Sequence, residues 1–168
     1  MYICTVTLEQ HLHQNTFTSP QHRLQFHILV VARQFDVLAR RILKPHAISA
    51  PQYNVLRILR GQKGQPIAIH ALAERMIDPA SNTSRIVDKL AEKGWVTRTA
   101  CPKDRRRADV VICEEGLALL TGLDEPINRV FTSCFAEFSA TETEELNDQL
   151  AKVLQATDTV LNQPFPSS

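Results

Sequence analysis

Hydrophobic residues recur every three or four positions through most of this chain, which is the spacing of amphipathic helices. The first such pattern predicts a long helix that begins at Arg23 and ends at Pro45, because a proline disfavours helical backbone in the residue before it. Residues 1–22 show no sustained period, so we expect an arm or a short extra helix there. The apolar positions of the long helix are Leu24, Ile28, Val31, Phe35, Leu38 and Ile42.

Two shorter helices are predicted next. Ser49 and Gln52 have the spacing of a capping box, so a helix should begin at Ser49. The helix after it has Ala68 where a Ser or Thr cap is expected, which weakens its start by about 1 kcal/mol relative to Ser. The pair Asp78-Pro79 then breaks the chain, and the helices on either side of this break form a helix-turn-helix. The apolar positions of the helix before the break are Ile69, Leu72, Ala73 and Met76.

A fourth helix and a β-hairpin follow the break. Ser81 is the predicted N-cap of the helix, Gly94 is its predicted end, and its apolar face carries Ile86, Val87 and Leu90. Residues 95–99 and 109–113 are then rich in Val, Ile and Thr, whereas residues 100–108 are polar and cationic. This change predicts a hairpin of two strands with residues 100–108 as its loop.

The helical spacing returns after the hairpin. Apolar residues from Leu120 to Phe138, Cys134 among them, predict one long helix in which Pro126 should cause a kink. Ser139 and Glu142 form a second capping box, which begins a last helix. We expect the long first helix and these two C-terminal helices to pack on one another and on a second copy of the chain, since none can bury its apolar stripe alone. The apolar positions of the last helix are Leu146, Leu150, Val153 and Val160.

The fourth helix and the hairpin loop carry the chemistry of nucleic-acid recognition. Opposite its apolar face the helix has short hydrogen-bonding groups and one guanidinium, which suit the edges of bases. The loop holds four cations and one acid, which repel one another unless an anion such as phosphate meets them. Each pattern alone also fits a solvated surface, but their succession favours a binding surface. The residues are Ser81, Asn82, Ser84 and Arg85 in the helix, and Lys103, Asp104, Arg105, Arg106 and Arg107 in the loop.

At these residues the chain resembles the winged helix-turn-helix regulators of the MarR (multiple antibiotic resistance regulator) family. The resemblance covers roughly residues 23–161 and is sharpest in residues 78–113. Cys113 stands where the family usually has Thr. The wing motif of the family is Asp-x-Arg, then alternating apolar residues, then Thr-x-x-Gly, and it is matched here by Asp104, Arg106, Val110, Ile112 and Gly116.

The resemblance implies a mainly α-helical fold with a small β-hairpin wing and with terminal helices that form a dimerisation region. It also implies a homodimer that binds palindromic double-stranded DNA as a repressor of transcription and is released by a small aromatic or anionic effector. Arg106 would enter the minor groove, braced by Asp104. The expected plan is an arm at 1–22, dimerisation helices at 23–48 and 116–162, a winged helix-turn-helix at 49–115 and a frayed tail at 163–168.

Further residues are open to two interpretations. Lys89 at the end of the fourth helix and Arg98 on the first strand would contact phosphate or form surface ion pairs. His27, Tyr53 and Arg57 are polar groups expected near an effector cleft, although no residue identifies the effector.

The charge distribution divides the chain into three segments. Residues 1–74 have eight Lys or Arg against three Asp or Glu, and residues 75–112 have nine against five. Residues 113–168 have two against ten, which leaves a net charge of only +1. The central segment is therefore suited to an anionic partner, and the C-terminal segment is not.

Composition and motifs restrict the remaining classes. The N-terminus has no signal-like or membrane-spanning segment, and the four cysteines include no Cys-x-x-Cys pair, so we expect a cytoplasmic protein with reduced thiols. No catalytic set, phosphate loop or metal spacing is present, so neither an enzyme nor a cofactor is expected. Two alternatives remain, namely an interaction module that has lost DNA binding and a thiol-based redox sensor of the same fold. The cysteines are Cys4, Cys101, Cys113 and Cys134.

Overall fold

The structure is a computed structural model that describes residues 6–79, 82–101 and 104–164. It divides into two compact units, Met1–Ile127 and Asn128–Ser168. The fold is mainly α-helical with one small antiparallel sheet, as the sequence predicts. The elements are α1 (Leu8–Leu12), α2 (Pro20–Leu43), α3 (Ala50–Gly61), β1 (Ile67–Ala68), α4 (Ile69–Ala73), α5 (Thr83–Glu92), β2 (Val96–Cys101), β3 (Asp104–Ile112), α6 (Glu114–Ser133) and α7 (Ala140–Leu161).

The N-terminal arm contains a short helix that packs on the long one. Thr7 begins α1 with a capping box, and Leu8 is buried. The long helix α2 begins at Pro20, because the side chain of Ser19 accepts the N–H of His22 and the proline fits the first turn. The predicted start at Arg23 is therefore three residues late. The helix ends at Leu43, in front of a 3-10 turn that contains Pro45.

Local signals placed the starts of α3 and α4 correctly. The Ser49 side chain accepts the N–H of Gln52, and the Gln52 side chain accepts the N–H of Ser49, so the predicted capping box is confirmed. Ala68 makes no side-chain cap at the start of α4, also as predicted. This helix is only five residues long, and Met76, predicted to lie in it, is buried in the turn that follows.

The sheet has three strands in the order β1-β3-β2, so the prediction of a two-stranded hairpin was incomplete. The missed strand β1 pairs antiparallel with β3, with Ile67 opposite Val110 and Ala68 opposite Asp109. Since β1 directly precedes α4, this pairing anchors the start of the helix-turn-helix to the middle strand of the sheet. The β2–β3 hairpin, residues 96–112, is called the wing below.

The wing strands are longer than predicted. Residues 100, 101 and 104–108 belong to β2 and β3 rather than to a loop. Ala100 lies opposite Ala108 and Cys101 opposite Asp104, with a shift of register between the two pairs. The backbone of residues 105–107 therefore bulges from the strand, which increases local twist and is common at sheet edges and next to functional sites.

One hydrophobic core joins these elements. Its members come from the end of α2, from α3, α4, α5 and α6, and from Ile67, Val96, Val110 and Ile112 of the sheet. The largest fully buried side chains are Leu43, Leu56, Leu59, Leu72, Leu90, Leu120, Leu123, Val55, Val87 and Val110.

The second unit consists of the end of α6, a turn and α7. The predicted long helix ends at Ser133, so Cys134 and Phe138 lie in the turn and not in the helix. Pro126 lies inside α6 as predicted. Ser139 and Glu142 form the predicted capping box of α7. The Ser139 hydroxyl and the Ser139 backbone N–H both donate to the Glu142 carboxylate, which lowers the pKa of Glu142. Within α7 no side chain is buried.

Candidate nucleic-acid interface

Helix α5 begins at Thr83 with Asn82 as its N-cap. The Asn82 side-chain oxygen accepts the N–H of Arg85 at 3.1 Å. The prediction of Ser81 as the N-cap was therefore wrong, and Ser81 itself lies outside the described residues. Both residue types cap helices well, and the helix begins one residue later than expected. Asn82 therefore caps α5, a role that was not predicted from the sequence.

The two faces of α5 differ in burial and chemistry. Thr83, Val87 and Leu90 are buried, and Ile86 packs against the core at the edge of this face. Arg85 and Lys89 are exposed one turn apart, and Ser84 is half-buried beside them. The sequence predicted this polar face correctly, and cationic and hydroxyl groups on it can donate to phosphates and to base edges.

The C-terminal end of α5 determines how the chain turns from the helix into the wing. Gly94 has φ +72°, its N–H donates to Ala91 O at 2.9 Å, and the Trp95 N–H donates to Leu90 O at 3.0 Å. These two bonds form a Schellman motif, in which the left-handed residue is most often glycine. The prediction that Gly94 ends the helix is confirmed. Lys93 adds a second link, because its ammonium lies 4.5 Å from the Trp95 ring centroid and also contacts Ala47 O.

The turn before α5 is held by a residue that sequence reasoning missed. The Asn54 side-chain oxygen, on α3, accepts the N–H of Ile77 at 3.0 Å. Because residues 77 and 54 are far apart in the chain, no local pattern signals this contact. The bond fixes the backbone of the turn to α3, and with it the approach to α5.

The wing is attached to α5 by an ion pair. Arg98 on β2 donates from Nη1 to Oδ1 of Asp88 on α5. Of the two interpretations of Arg98, the structure therefore shows the ion pair, and Asp88 was not among the predicted site residues. The predicted wing cations Arg105, Arg106 and Arg107 and the acid Asp104 have their backbone on β3, and Lys103 lies outside the described residues.

A bidentate ion pair joins α3 to α6. Arg60 donates to the two carboxylate oxygens of Asp124 at 2.8 and 3.0 Å, and these bonds raise the pKa of Arg60. The partners are 64 residues apart, so no local sequence pattern signals this pair. The planar guanidinium fixes both distance and angle between the two helices.

The residues predicted near an effector cleft are brought together only in part. Tyr53 and Arg57 lie one turn apart on α3, and the Arg57 guanidinium carbon is 5.9 Å from the Tyr53 ring centroid. His27 lies half-buried on α2. An anionic aromatic molecule would find a cation and a ring at Tyr53 and Arg57.

Two classes of site are not found in the part of the chain that the structure describes. No helix there is both long and apolar enough to cross a membrane. Likewise, no three His, Cys, Asp or Glu side chains within the described ranges are grouped so that they could hold a metal ion.

Two cysteines differ in exposure. Cys113 is half-buried, with its sulfur 3.2 Å from Thr97 Oγ1, and Cys134 is exposed.

Comparisons with known proteins place this architecture in a family. The chain is 28% identical to the HTH-type transcriptional regulator PecS of Dickeya dadantii over 128 residues, 74% of each protein. It is 25% identical to the transcriptional repressor MprA of Escherichia coli, over 70% of this chain and 67% of MprA. A mutant MarR from E. coli, solved in complex with operator DNA, superposes with a TM-score of 0.72 at 26% identity, covering 83% of this chain and 99% of that one. Residues 48–108 match the model of the MarR family, and the chain belongs to that family.

Proposed function

We propose that this chain is a homodimeric regulator of transcription that binds palindromic double-stranded DNA, represses its target and is released by a small aromatic or anionic effector. One observation carries the proposal. Helix α5 buries Thr83, Val87 and Leu90 and presents Arg85 and Lys89 to solvent, directly before a hairpin with three consecutive arginines. The relatives PecS and MprA, a regulator and a repressor, and the operator complex of MarR support it.

Two kinds of DNA contact are assigned to these residues. Ser84 and Arg85, on the exposed face of α5, would read base edges in the major groove, and Lys89 would contact phosphate. Arg106 would enter the minor groove with Asp104 as its brace, while Lys103, Arg105 and Arg107 would contact the backbone. Ser81 and Asn82 are the remaining residues of the helix that are proposed to contact bases.

The capping hydrogen bond limits the base contacts that the Asn82 side chain can make. A side-chain amide recognises adenine by using its oxygen and its nitrogen together. In the structure the Asn82 oxygen already accepts the N–H of Arg85, so a two-bond contact with adenine would cost the helix cap. Arg85 donates from a planar fork that suits guanine and has no such competing role. We therefore assign the dominant base contact to Arg85.

Fluorescence anisotropy with duplexes from the chain's own upstream region tests the function. The wild type should bind a subset of duplexes tightly, with an affinity that falls steeply as salt rises. Arg106→Ala should weaken binding about tenfold, most at sites with A·T-rich flanks, because these narrow the minor groove and attract arginine. A folded dimer that binds no duplex would contradict the proposal and favour a protein-interaction module.

Substitutions at the start of α5 distinguish recognition of bases from capping of the helix. Arg85→Ala should relax base preference at one position of each half-site by about 1–3 kcal/mol. Asn82→Ser keeps a capping oxygen, so it should preserve stability, whereas Asn82→Ala should cost about 1 kcal/mol of folding free energy. Binding to a panel of single-base operator variants gives the first result, and thermal unfolding gives the second. Uniform weakening of Arg85→Ala on every sequence would remove its assignment as a base reader.

Dimerisation and effector release complete the proposal. Residues 23–48 and 116–162 form the dimerisation region, and residues 49–115 form the DNA-binding module. Two modules about 34–36 Å apart would read successive major grooves. An effector near Tyr53, Arg57 and His27 would favour a spacing that misfits B-DNA. The protein is not proposed to be an enzyme, and it would act in the cytoplasm, where its DNA is.

A further inference from the structure

The ion pair between Arg98 and Asp88 connects the two elements that are proposed to touch DNA. Arg98 lies in the middle of β2, and Asp88 lies in the middle of α5. Their side chains are 39% and 48% exposed, so the pair lies at the surface and is not part of the core. It is a direct polar link between α5 and the wing.

Strand geometry directs Arg98 towards α5. Side chains alternate between the two faces of a strand, so Arg98 shares a face with Val96, which is buried. Thr97, on the other face, has its hydroxyl 3.2 Å from the sulfur of Cys113. The guanidinium of Arg98 therefore extends past the edge of the core to the helix.

Asp88 is an acid on a helix that would approach a polyanion. It lies one turn after Ser84 and three residues after Arg85, on the side of α5 next to the proposed reading face. An unpaired carboxylate at this position would repel DNA phosphates. Pairing with Arg98 neutralises it, and this pairing explains how an acid can be accommodated so close to the reading face.

We propose that Arg98 and Asp88 are positioning residues that fix the wing relative to α5, so that both reach DNA at the same time. Arg98 acts through Asp88 and does not contact phosphate. The inference rests on the proposed DNA-binding function. It changes the expected role of Arg98, because a phosphate contact depends on the arginine alone whereas a brace depends on both partners.

A double-mutant cycle measured by fluorescence anisotropy distinguishes these roles. The variants are Arg98→Ala, Asp88→Ala, the double alanine variant and the exchanged pair Arg98→Asp with Asp88→Arg. Each single variant should weaken binding about fivefold, and the double variant should be no weaker than either single one. The dependence of affinity on salt should keep its slope in Arg98→Ala. The exchanged pair should recover most of the affinity.

Two matched controls calibrate the cycle. Lys89→Ala removes a proposed phosphate contact from α5, so it should lower the salt slope by about one. Glu9→Ala breaks a comparable surface pair, with Arg23 at 2.9 Å, from the N-terminal arm, which lies outside both the winged helix-turn-helix and the dimerisation region, and it should leave DNA binding unchanged. Thermal unfolding of all variants reports whether each remains folded, and Asp88→Asn replaces any alanine variant that does not.

Several outcomes would overturn the inference. Tighter binding by Asp88→Ala would mean that the acid only repels DNA. A fall of the salt slope by about one in Arg98→Ala would mean a direct phosphate contact, and additive losses in the double variant would mean independent roles. Failure of the wild type to bind any duplex would instead contradict the proposed function, so the two failures are distinguishable.

Discussion

Replacing Gly116 with alanine should lower the free energy of unfolding by about 3 kcal/mol. Gly116 is buried in the first turn of α6, where the helix passes the start of β2. A Cβ at this position would overlap the carbonyl oxygen of Trp95 and lie 2.9 Å from Cγ1 of Ile112. The Trp95 oxygen accepts the N–H of Cys113 at 3.0 Å, so moving it aside would also cost a hydrogen bond.

Gly122 provides the matched control on the same helix. It is exposed, and a Cβ added there meets no atom within 4 Å. Gly122→Ala should therefore raise stability by up to about 1 kcal/mol, because alanine favours helix over glycine. Urea unfolding measures both variants, at one protein concentration because dimerisation contributes to stability. Equal stability of Gly116→Ala and the wild type would show that the backbone at Trp95 can move without cost.

Features that depend on three to five neighbouring residues could be predicted from the sequence. Both capping boxes and the glycine end of α5 lie within one or two helical turns, so the residues that form them stand close together in the chain. The apolar period placed Val87 and Leu90 in the core for the same reason. At the start of α5, however, Ser81 and Asn82 are equally good caps, and local preference could not choose between them.

Features that depend on distant partners could not be predicted. Strand β1 has only two residues and exists because β3 lies beside it, about forty positions later in the chain. The extent of the wing was underestimated because cationic residues near a proline suggest a loop, whereas pairing of Ala100 with Ala108 continues the strands. In the site, the sequence identified Arg85 and Lys89 as exposed. It could not show that Arg98 would meet Asp88, since nothing in the chain between them specifies the angle of β2 against α5.

Replacing Leu150 with aspartate should dissociate the proposed dimer. Helix α7 is 22 residues long with no buried side chain, yet it carries large apolar residues with a helical period. Leu150 is 44% exposed and Val153 is 37% exposed in the single chain, and both lie near the centre of this stripe. A helix of this kind is stable in water when another surface covers its apolar face, and a second copy of the chain is the proposed cover. The other large exposed apolar residues of α7 are Leu154, Val160 and Leu161.

A charge in the middle of such an interface would have to be desolvated without a partner. We expect a loss of about 3 kcal/mol in dimerisation, which is roughly a hundredfold in the dissociation constant. Sedimentation velocity measures this change. Gln155→Asp adds the same charge on the opposite face of α7 and should leave the dimer intact. If Leu150→Asp remained a dimer, α7 would not provide the central contact between the two copies.

Loss of the dimer should reduce DNA binding far more than loss of any single base contact. When one DNA-binding module of a dimer has bound its half-site, the second module is held near the other half-site at a high effective concentration. A monomer has only one module, so its affinity for the palindrome is not raised in this way. Leu150→Asp should therefore weaken binding to a full palindrome about a hundredfold or more, while binding to a single half-site stays near that of the wild type. Because α7 lies outside the reading module, an equal loss on both kinds of DNA would instead indicate that the substitution damages residues 49–115. The ratio of the affinity for the palindrome to the affinity for the half-site therefore distinguishes loss of the dimer from damage to the DNA-binding module.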